Sequence, residues 1–248
     1  PCCKADRTSN VTKPQMNAQR TLVTLTTTLA FLSLPLLTSA QKGSEKRSRV
    51  EIRTELGTMV VELYNETPQH RDNFLKLVKE HTYDSLLWHR VIPQFMVQGG
   101  DPDSKRAKPG QPLGSGGPGY TIPAEINRAF IHKKGVLSAA RQGDQVNPLK
   151  ASSGSQFYLV QGKSYTAAEL DMLVKRKQSM APGKDFSYTP EQIEAYTKVG
   201  GTPHLDGEYT VFGEVVEGLD VIDKIAAVPT APGDRPVQDV HMWMKVVK

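Results

Sequence analysis

Short runs in which apolar and polar residues alternate, each cut off by Gly or Pro, constrain this chain more than any other feature. Val50, Ile52 and Thr54 alternate with polar neighbours, Leu56-Gly57 marks a turn, and Met59–Tyr64 follows as a second run. A period of two belongs to a half-buried strand, so 50–64 predicts a β-hairpin. Trp88–Ile92, Phe95–Gln98, Val136–Ala140, Gln156–Val160 and Tyr209–Val216 read as further short strands, and Val240, Met242, Met244 and Val246 alternate in a closing one. Two framework helices interrupt them. One starts at Thr67-Pro68, a capping residue type followed by a proline suited to the first helical position, and carries Phe74, Leu77 and Val78 on one face to near Glu80. The other follows Gly218, with Leu219, Ile222 and Ile225 as its apolar positions. Many short strands with two helices predict a mainly β fold, an antiparallel barrel or a sandwich. Propensity does not separate the two; our expectation is the barrel, with the helices plugging its ends.

Residues 163–201 break the pattern. Thr166-Ala167-Ala168-Glu169 has capping-box spacing ahead of Leu170, Leu173 and Val174, and Thr189-Pro190-Glu191-Gln192 repeats the logic. Gly200 suits the position just past a helix end. The segment predicts an inserted helical hairpin, since about 39 residues are too few for an independent core. Its Lys175-Arg176-Lys177 run reads as a solvated face.

The net charge of +5 has to be located before it means anything. Residues 1–40 and 41–49 each carry +3, which leaves −1 on 50–248. A nucleic-acid binder needs a basic face on the folded body, so that class is excluded as an expectation. Met16, Arg20, the apolar Leu22–Leu37 and the small residues Thr38-Ser39-Ala40 read as a secretory signal starting at Met16 and cut before Gln41. The apolar run is short and diluted by threonines for a membrane span, which needs about 20 residues. The expected protein is therefore exported, to a periplasm in the first instance, as a monomer without stable membrane association once the signal is cut. A secreted or a signal-anchored form is the alternative. Residues 41–49 are expected as a flexible arm ahead of a domain over 50–248. Both cysteines, Cys2 and Cys3, precede Met16, so the exported chain would have no thiol nucleophile and no sulfur-ligated zinc. The histidines show no HxxxH or HExxH spacing, and neither a metal nor a cofactor is expected.

The most informative run is Trp88-His89-Arg90-Val91-Ile92-Pro93-Gln94-Phe95-Met96-Val97-Gln98-Gly99-Gly100-Asp101. Alternate residues of a strand share a face, so with a kink at Pro93 the residues Arg90, Phe95, Met96 and Gln98 can meet on one concave surface. One cation and one amide beside two large apolar groups can bind and polarise. Such a set lacks what covalent or proton-transfer chemistry requires.

This run closely resembles the signature of the cyclophilin family of peptidyl-prolyl cis–trans isomerases: an aromatic residue (Phe or Tyr in the pattern, Trp88 here), His-Arg, Phe-Met, then Gln-Gly-Gly-Asp. The resemblance continues in Gly114-Ser115-Gly116-Gly117, Gly135–Ala140, Ser153–Tyr158, His204-Leu205-Asp206-Gly207 and Val211-Phe212-Gly213, and covers roughly 50–248 apart from 163–201 and an enlarged 141–153 loop. It implies a closed eight-stranded antiparallel barrel capped by two helices, with a surface groove for a peptidyl-proline. By motif position Arg90 matches the catalytic arginine. Phe95, Met96, Tyr158 and Leu205 match the proline pocket, Gln98 and Gln156 the glutamines that bind substrate backbone, and Ala140 and Arg141 positions that contact the substrate chain. His204 stands where many members carry tryptophan, Tyr209 where many carry histidine, and Tyr158 replaces a common phenylalanine. The loss of an indole at His204 predicts weak binding of the family's cyclic-peptide inhibitor.

The implied partners are proline-containing polypeptides, and the implied role is to assist folding of exported proteins. A non-catalytic proline-peptide binding module or holdase chaperone is the alternative. Arg90 alone would read as a strand arginine paired with a carboxylate, and His89 reads as structural because twisting an amide needs no proton transfer. The Gly114–Gly119 run lacks the Lys-Ser/Thr of a phosphate cradle. The insertion leaves after Tyr158 and returns before His204, so it is expected beside the groove, shaping which proteins enter.

Overall fold

The computed structural model describes residues 46–180, 183 and 185–248; the expected leader and residues 41–45 of the expected arm lie outside them. β1 (Arg49–Thr54) and β2 (Gly57–Leu63) form the hairpin. Gly57 takes φ 142°, and Thr54 Oγ1 donates to its carbonyl at 3.0 Å while accepting the Leu56 N–H, which closes the turn. β1 begins inside the segment expected as an arm. Arg47 also donates to Glu66 at 3.0 Å and lies 4.5 Å over the Tyr64 ring, so residues 47–49 are tied to the body.

Helix α1 (Pro68–Lys79) buries His70, Phe74, Leu77 and Val78. Its cap departs from the sequence expectation. Thr67 holds the N-cap position, but its hydroxyl turns to Tyr64 O and caps nothing. The Glu125 carboxylate caps instead, accepting Gln69 N–H at 3.1 Å and His70 N–H at 3.0 Å. An anion at a helix N-terminus is favoured by the orphan N–H groups and the helix dipole, and no local pattern announces a cap this distant.

The chain continues through β3 (Leu86–Leu87), β4 (Arg90–Ile92), β5 (Met96–Gly99), β6 (Thr121–Ile122), β7 (Val136–Ala139), β8 (Ser152–Ser153) and β9 (Phe157–Val160). The inserted helices α2 (Ala167–Met180) and α3 (Pro190–Lys198) follow, then β10 (Val211–Glu217), α4 (Asp220–Ala226) and β11 (His241–Val247). Among the described residues the main sheet has nine strands in the order β3-β11-β1-β2-β10-β7-β9-β5-β4, and β6 pairs with β8 in a separate ribbon. β3 and β4 lie at opposite ends of that order, yet only Trp88 and His89 separate them in the chain. Three residues of extended chain span at most about 11 Å, so the sheet curls until its two edges approach. This decides for the barrel over the sandwich. The difference from the expected eight strands, fully closed, lies at the seam. The expected strand Trp88–Ile92 is shortened to β4 (Arg90–Ile92), and Leu86–Leu87 just before it forms the additional strand β3, which pairs with β11 and not with β4.

The pleat sorts side chains into two cores. Val91, Val97, Leu137, Ala139, Phe157 and Leu159 face the barrel interior with Phe74, Tyr83 and Trp88, and Ile222 and Ile225 of α4 close one end. Phe157 sets its ring nearly perpendicular to Phe74, Tyr83 and Trp88 at 5.5–5.6 Å, the favoured edge-to-face geometry. The alternate residues Met96, Val136, Ala140, Tyr158, Val160 and Val211 form a second cluster on the outer face.

The inserted hairpin is pinned at its root, where Lys163 and Gly201 exchange hydrogen bonds of 2.9 and 3.2 Å. Both helix starts carry reciprocal caps, Thr166 with Glu169 and Thr189 with Gln192. Gly200 ends α3 at φ 89°, where a Cβ would stand 2.7 Å from Lys163 O. Its small core, Leu170 and Tyr196, is completed by Ile131 from the framework. Lys177 does not belong to a solvated face: its Nζ donates to Asp206 O at 2.5 Å and lies 4.8 Å over the Phe186 ring.

Candidate active site

Strand register builds the site. Arg90 stands opposite Gln98, Gln98 opposite Tyr158, and Tyr158 opposite Ser138. Directly opposed residues share a face, as do residues two apart. Arg90, Met96, Gln98, Gln156 and Tyr158 therefore line the outer face of β4, β5 and β9. Phe95 joins them from the turn after Pro93, where Gln94 takes φ 59° and Phe95 N–H donates to Ile92 O at 3.1 Å. Leu205, at the end of a short 3-10 turn, and Tyr209 come from beyond the insertion and pack with Phe95 against Met96, Ala140 and Tyr158. His204 is exposed at the rim, its ring 5.5 Å from that of Phe95.

The polar half is ordered by donors. Asp101, fully buried, accepts Gly114 N–H at 2.5 Å and Gly116 N–H at 3.4 Å. The carbonyls of the same two glycines accept from Gln156 Nε2 at 2.9 and 2.7 Å. With its amide nitrogen so committed, Gln156 presents Oε1 to Gln98 Nε2 at 3.0 Å, and Gln98 in turn presents Oε1 to Arg90 Nη1 at 3.4 Å. Arg90 Nε also donates to Asp234 Oδ2 at 3.3 Å, with the two side chains 42% and 45% exposed. The carboxylate pairing of the plainer reading is thus present. A pair this exposed contributes only about 0–1 kcal/mol, so the guanidinium can exchange it for a substrate. Gln98, Gln156, Ala140 and Arg141 further line an open groove of about 890 Å³ with the 114–117 loop.

Arg141 lines the groove, and its side chain is also held from beneath. Its side chain is 5% exposed and donates to Glu208 O, Gln142 O and Asp144, and its guanidinium lies 4.4 Å over the Tyr209 ring. It braces the Tyr209 wall. His89 is buried, its two ring nitrogens have no hydrogen-bond partner among the described residues, and burial pushes its pKa down to about 4.

Four residues that sequence reasoning did not assign complete the site: Asp101, Asp234, His132 and Asp206. Asp101 and Asp206 lie inside quoted motifs, and Pro232-Gly233-Asp234 reads only as a turn; nothing local marks His132. A further constellation, Ser152 Oγ 2.9 Å from His70 Nε2 and His70 Nδ1 2.6 Å from Glu125, has the spacing of a hydrolytic triad. Ser152 is 1% exposed and the adjoining cavity measures about 10 Å³, so no substrate reaches the hydroxyl. The three residues clamp the start of α1 to β8.

The molecule is thus a curled antiparallel barrel with a cation and two oriented amides beside an apolar hollow on its outer face. Residues 49–246 match the family model "Cyclophilin type peptidyl-prolyl cis-trans isomerase/CLD", and the chain belongs to this family of isomerases. The "Putative peptidyl-prolyl cis-trans isomerase" of Staphylococcus aureus (strain USA300) is 33% identical over 196 residues, 77% of this chain and 87% of that protein. The "Putative bifunctional phosphatase/peptidyl-prolyl cis-trans isomerase" of Streptococcus pyogenes serotype M6 is 35% identical over 198 residues, but the match spans only 37% of that longer protein. Among solved structures, a Cryptosporidium parvum cyclophilin type peptidyl-prolyl cis-trans isomerase superposes with a TM-score of 0.57 at 22% identity, covering 82% of this chain and 98% of its own. The same protein was solved in the presence of the dipeptide Ala-Pro.

Proposed function

We propose that the outer-face site binds a peptidyl-proline and speeds rotation about the preceding amide, and that it does so for exported polypeptides as they fold. The observation that carries the catalytic part is the register that sets Arg90, Gln98 and Tyr158 side by side with Met96 next in line. Rotation is slow because twisting destroys amide resonance, a barrier of about 18–20 kcal/mol. The twisted amide is less polar and carries a free lone pair on the prolyl nitrogen. The hollow of Phe95, Met96, Tyr158 and Leu205 favours the less polar form, and the Arg90 guanidinium donates to the lone pair. Neither interaction is available to the planar ground state in equal strength, which is differential binding of the transition state. A hydrogen bond to a charged group supplies about 1.5–3 kcal/mol, or roughly tenfold to a hundredfold in rate. Gln98 and Gln156 hold the chain on one side of the bond while the other side turns.

The export role is supported by the leader pattern of residues 16–40. We also hold that the insertion biases which polypeptides enter, since it abuts Asp206 next to Leu205. Replacing the exposed Met172 and Met180 of α2 by serine should change turnover on an unfolded protein and leave a tetrapeptide substrate within about twofold. Equal effects on both substrates would refute the selection role. For the reaction itself, a protease-coupled peptide assay on residues 41–248 should show isomerisation; binding of prolyl peptides without turnover would favour the holdase reading.

A further inference from the structure

A buried chain of hydrogen bonds links the inserted hairpin to the floor of the hollow. Asp206, 4% exposed, accepts at Oδ2 from Tyr188 OH at 2.7 Å and Tyr196 OH at 2.5 Å, both from the insertion. At Oδ1 it accepts His132 N–H at 2.7 Å and faces His132 Nδ1 at 2.8 Å. His132 is fully buried, and its Nε2 lies 3.1 Å from Tyr158 OH. A carboxylate can only accept, so Nδ1 carries the imidazole proton and Nε2 is left to accept. Tyr158 must then be the donor; burial raises its pKa well above the usual phenol value and keeps that proton in place. Ser138 Oγ, 3.3 Å from Nε2, gives its proton to Thr210 O at 2.9 Å and also bonds the Tyr158 hydroxyl. Burial and the Asp206 charge likewise hold the Tyr188 and Tyr196 protons. The donor directions from the insertion through Asp206 to His132 are therefore fixed, and Tyr158 OH is the donor that faces the free Nε2.

The rings repeat the message. His132 stacks nearly parallel to Tyr158, 13° and 6.2 Å apart, and stands edge-on to Tyr209 at 6.4 Å. Both tyrosines wall the hollow. A buried polar network of this kind specifies one arrangement only while every member is satisfied.

We propose that His132 and Asp206 are positioning residues of the isomerase site, and that the inserted hairpin supports catalysis by holding Asp206 through Tyr188 and Tyr196. The proposal rests on the isomerase reading above. None of the four residues needs to touch substrate; they act by fixing the Tyr158 ring against Met96 and Ala140. The insertion is then a component of the catalytic face as well as its neighbour.

The test is a coupling measurement on the full chain. In the otherwise unaltered protein, Tyr196→Phe should lower kcat/KM for a prolyl tetrapeptide by about three- to tenfold, the weight of one hydrogen bond. Tyr158→Phe lowers it too, and in that background Tyr196→Phe should cause no further loss, because the relay is already cut. Tyr188→Phe, at the less buried end, should behave alike and serves if Tyr196→Phe folds poorly. Equal losses in both backgrounds, or no loss in the first, overturn the relay. Imidazole nitrogen shifts give a second readout independent of turnover. His132 should be the Nδ1–H tautomer, shifting toward Nε2–H in Asp206→Asn; an Nε2–H imidazole in the unaltered protein would also overturn it. An unaltered protein with no isomerase activity would sink the isomerase reading itself, a result distinct from the loss of coupling.

Discussion

Arg90 Nε lies 3.3 Å from Asp234 Oδ2, across 144 residues of chain. Asp234 takes φ 64°, a left-handed conformation that Asp and Asn tolerate and branched residues do not. The turn that bears it also closes the seam, since Asp234 O accepts Val91 N–H at 2.8 Å. The pair anchors the guanidinium at the edge of the hollow without burying it.

Charge and conformation at Asp234 should therefore separate. Asp234→Asn keeps an acceptor and the backbone, and should change stability by less than about 1 kcal/mol and kcat by less than about threefold. Asp234→Val should cost about 1–3 kcal/mol of stability through backbone strain. Chemical denaturation of both variants beside the peptide assay checks this; equal stabilities would contradict the strain argument.

Gly116 orients the amide chain. A Cβ there would collide with the Asp101 carboxylate, whereas one on Gly117 meets nothing within 4 Å. Gly116→Ala should push the loop off Gln156 and cut kcat/KM at least about tenfold, and Gly117→Ala should match the unaltered protein. Loss of activity in both would mean that the loop acts by flexibility instead.

Burial pushes the His89 pKa down to about 4, from about 6.5 in the unfolded chain. The unfolded state then binds the extra proton first. The stability held by neutral His89 is complete above pH 6.5 and is lost as pH falls toward 4, by about 3 kcal/mol in all. Unfolding free energies from pH 7 to 4 should lose most of this slope in His89→Gln, with kcat flat between pH 6 and 8 because no proton moves in the reaction. An unchanged slope would show that His89 titrates normally.

The rim residue His204 offers an imidazole edge where an indole would add apolar contact beside Phe95. His204→Trp should tighten the family's cyclic-peptide inhibitor by about tenfold or more, one buried apolar increment. Titration calorimetry measures it, and nanomolar binding by the unaltered protein would refute the expectation.

What could be read beforehand followed the range of the physics involved. Period-two alternation is local, so the hairpin at 50–64, the closing strand and the residues on one face of β5 were legible, as were the caps at Thr166 and Thr189. Whatever required a distant partner was not. Glu125 caps α1 from a loop far along the chain, and the Arg141 guanidinium finds its partners in Glu208 and Asp144 only once the loops are folded. His132 gains its role only once Asp206 is folded against it. The strand Leu86–Leu87 was missed because two residues give no alternation and its partner β11 lies far along the chain, and β4 starts two residues later than the pattern suggested.

The most direct test of the account is the turnover of Arg90→Ala against the unaltered protein in the protease-coupled assay, with prolyl-peptide affinity measured in parallel. The account predicts that kcat falls roughly tenfold to a hundredfold while affinity changes by less than about threefold. Equal kcat for the two proteins, or a loss confined to affinity, would contradict it.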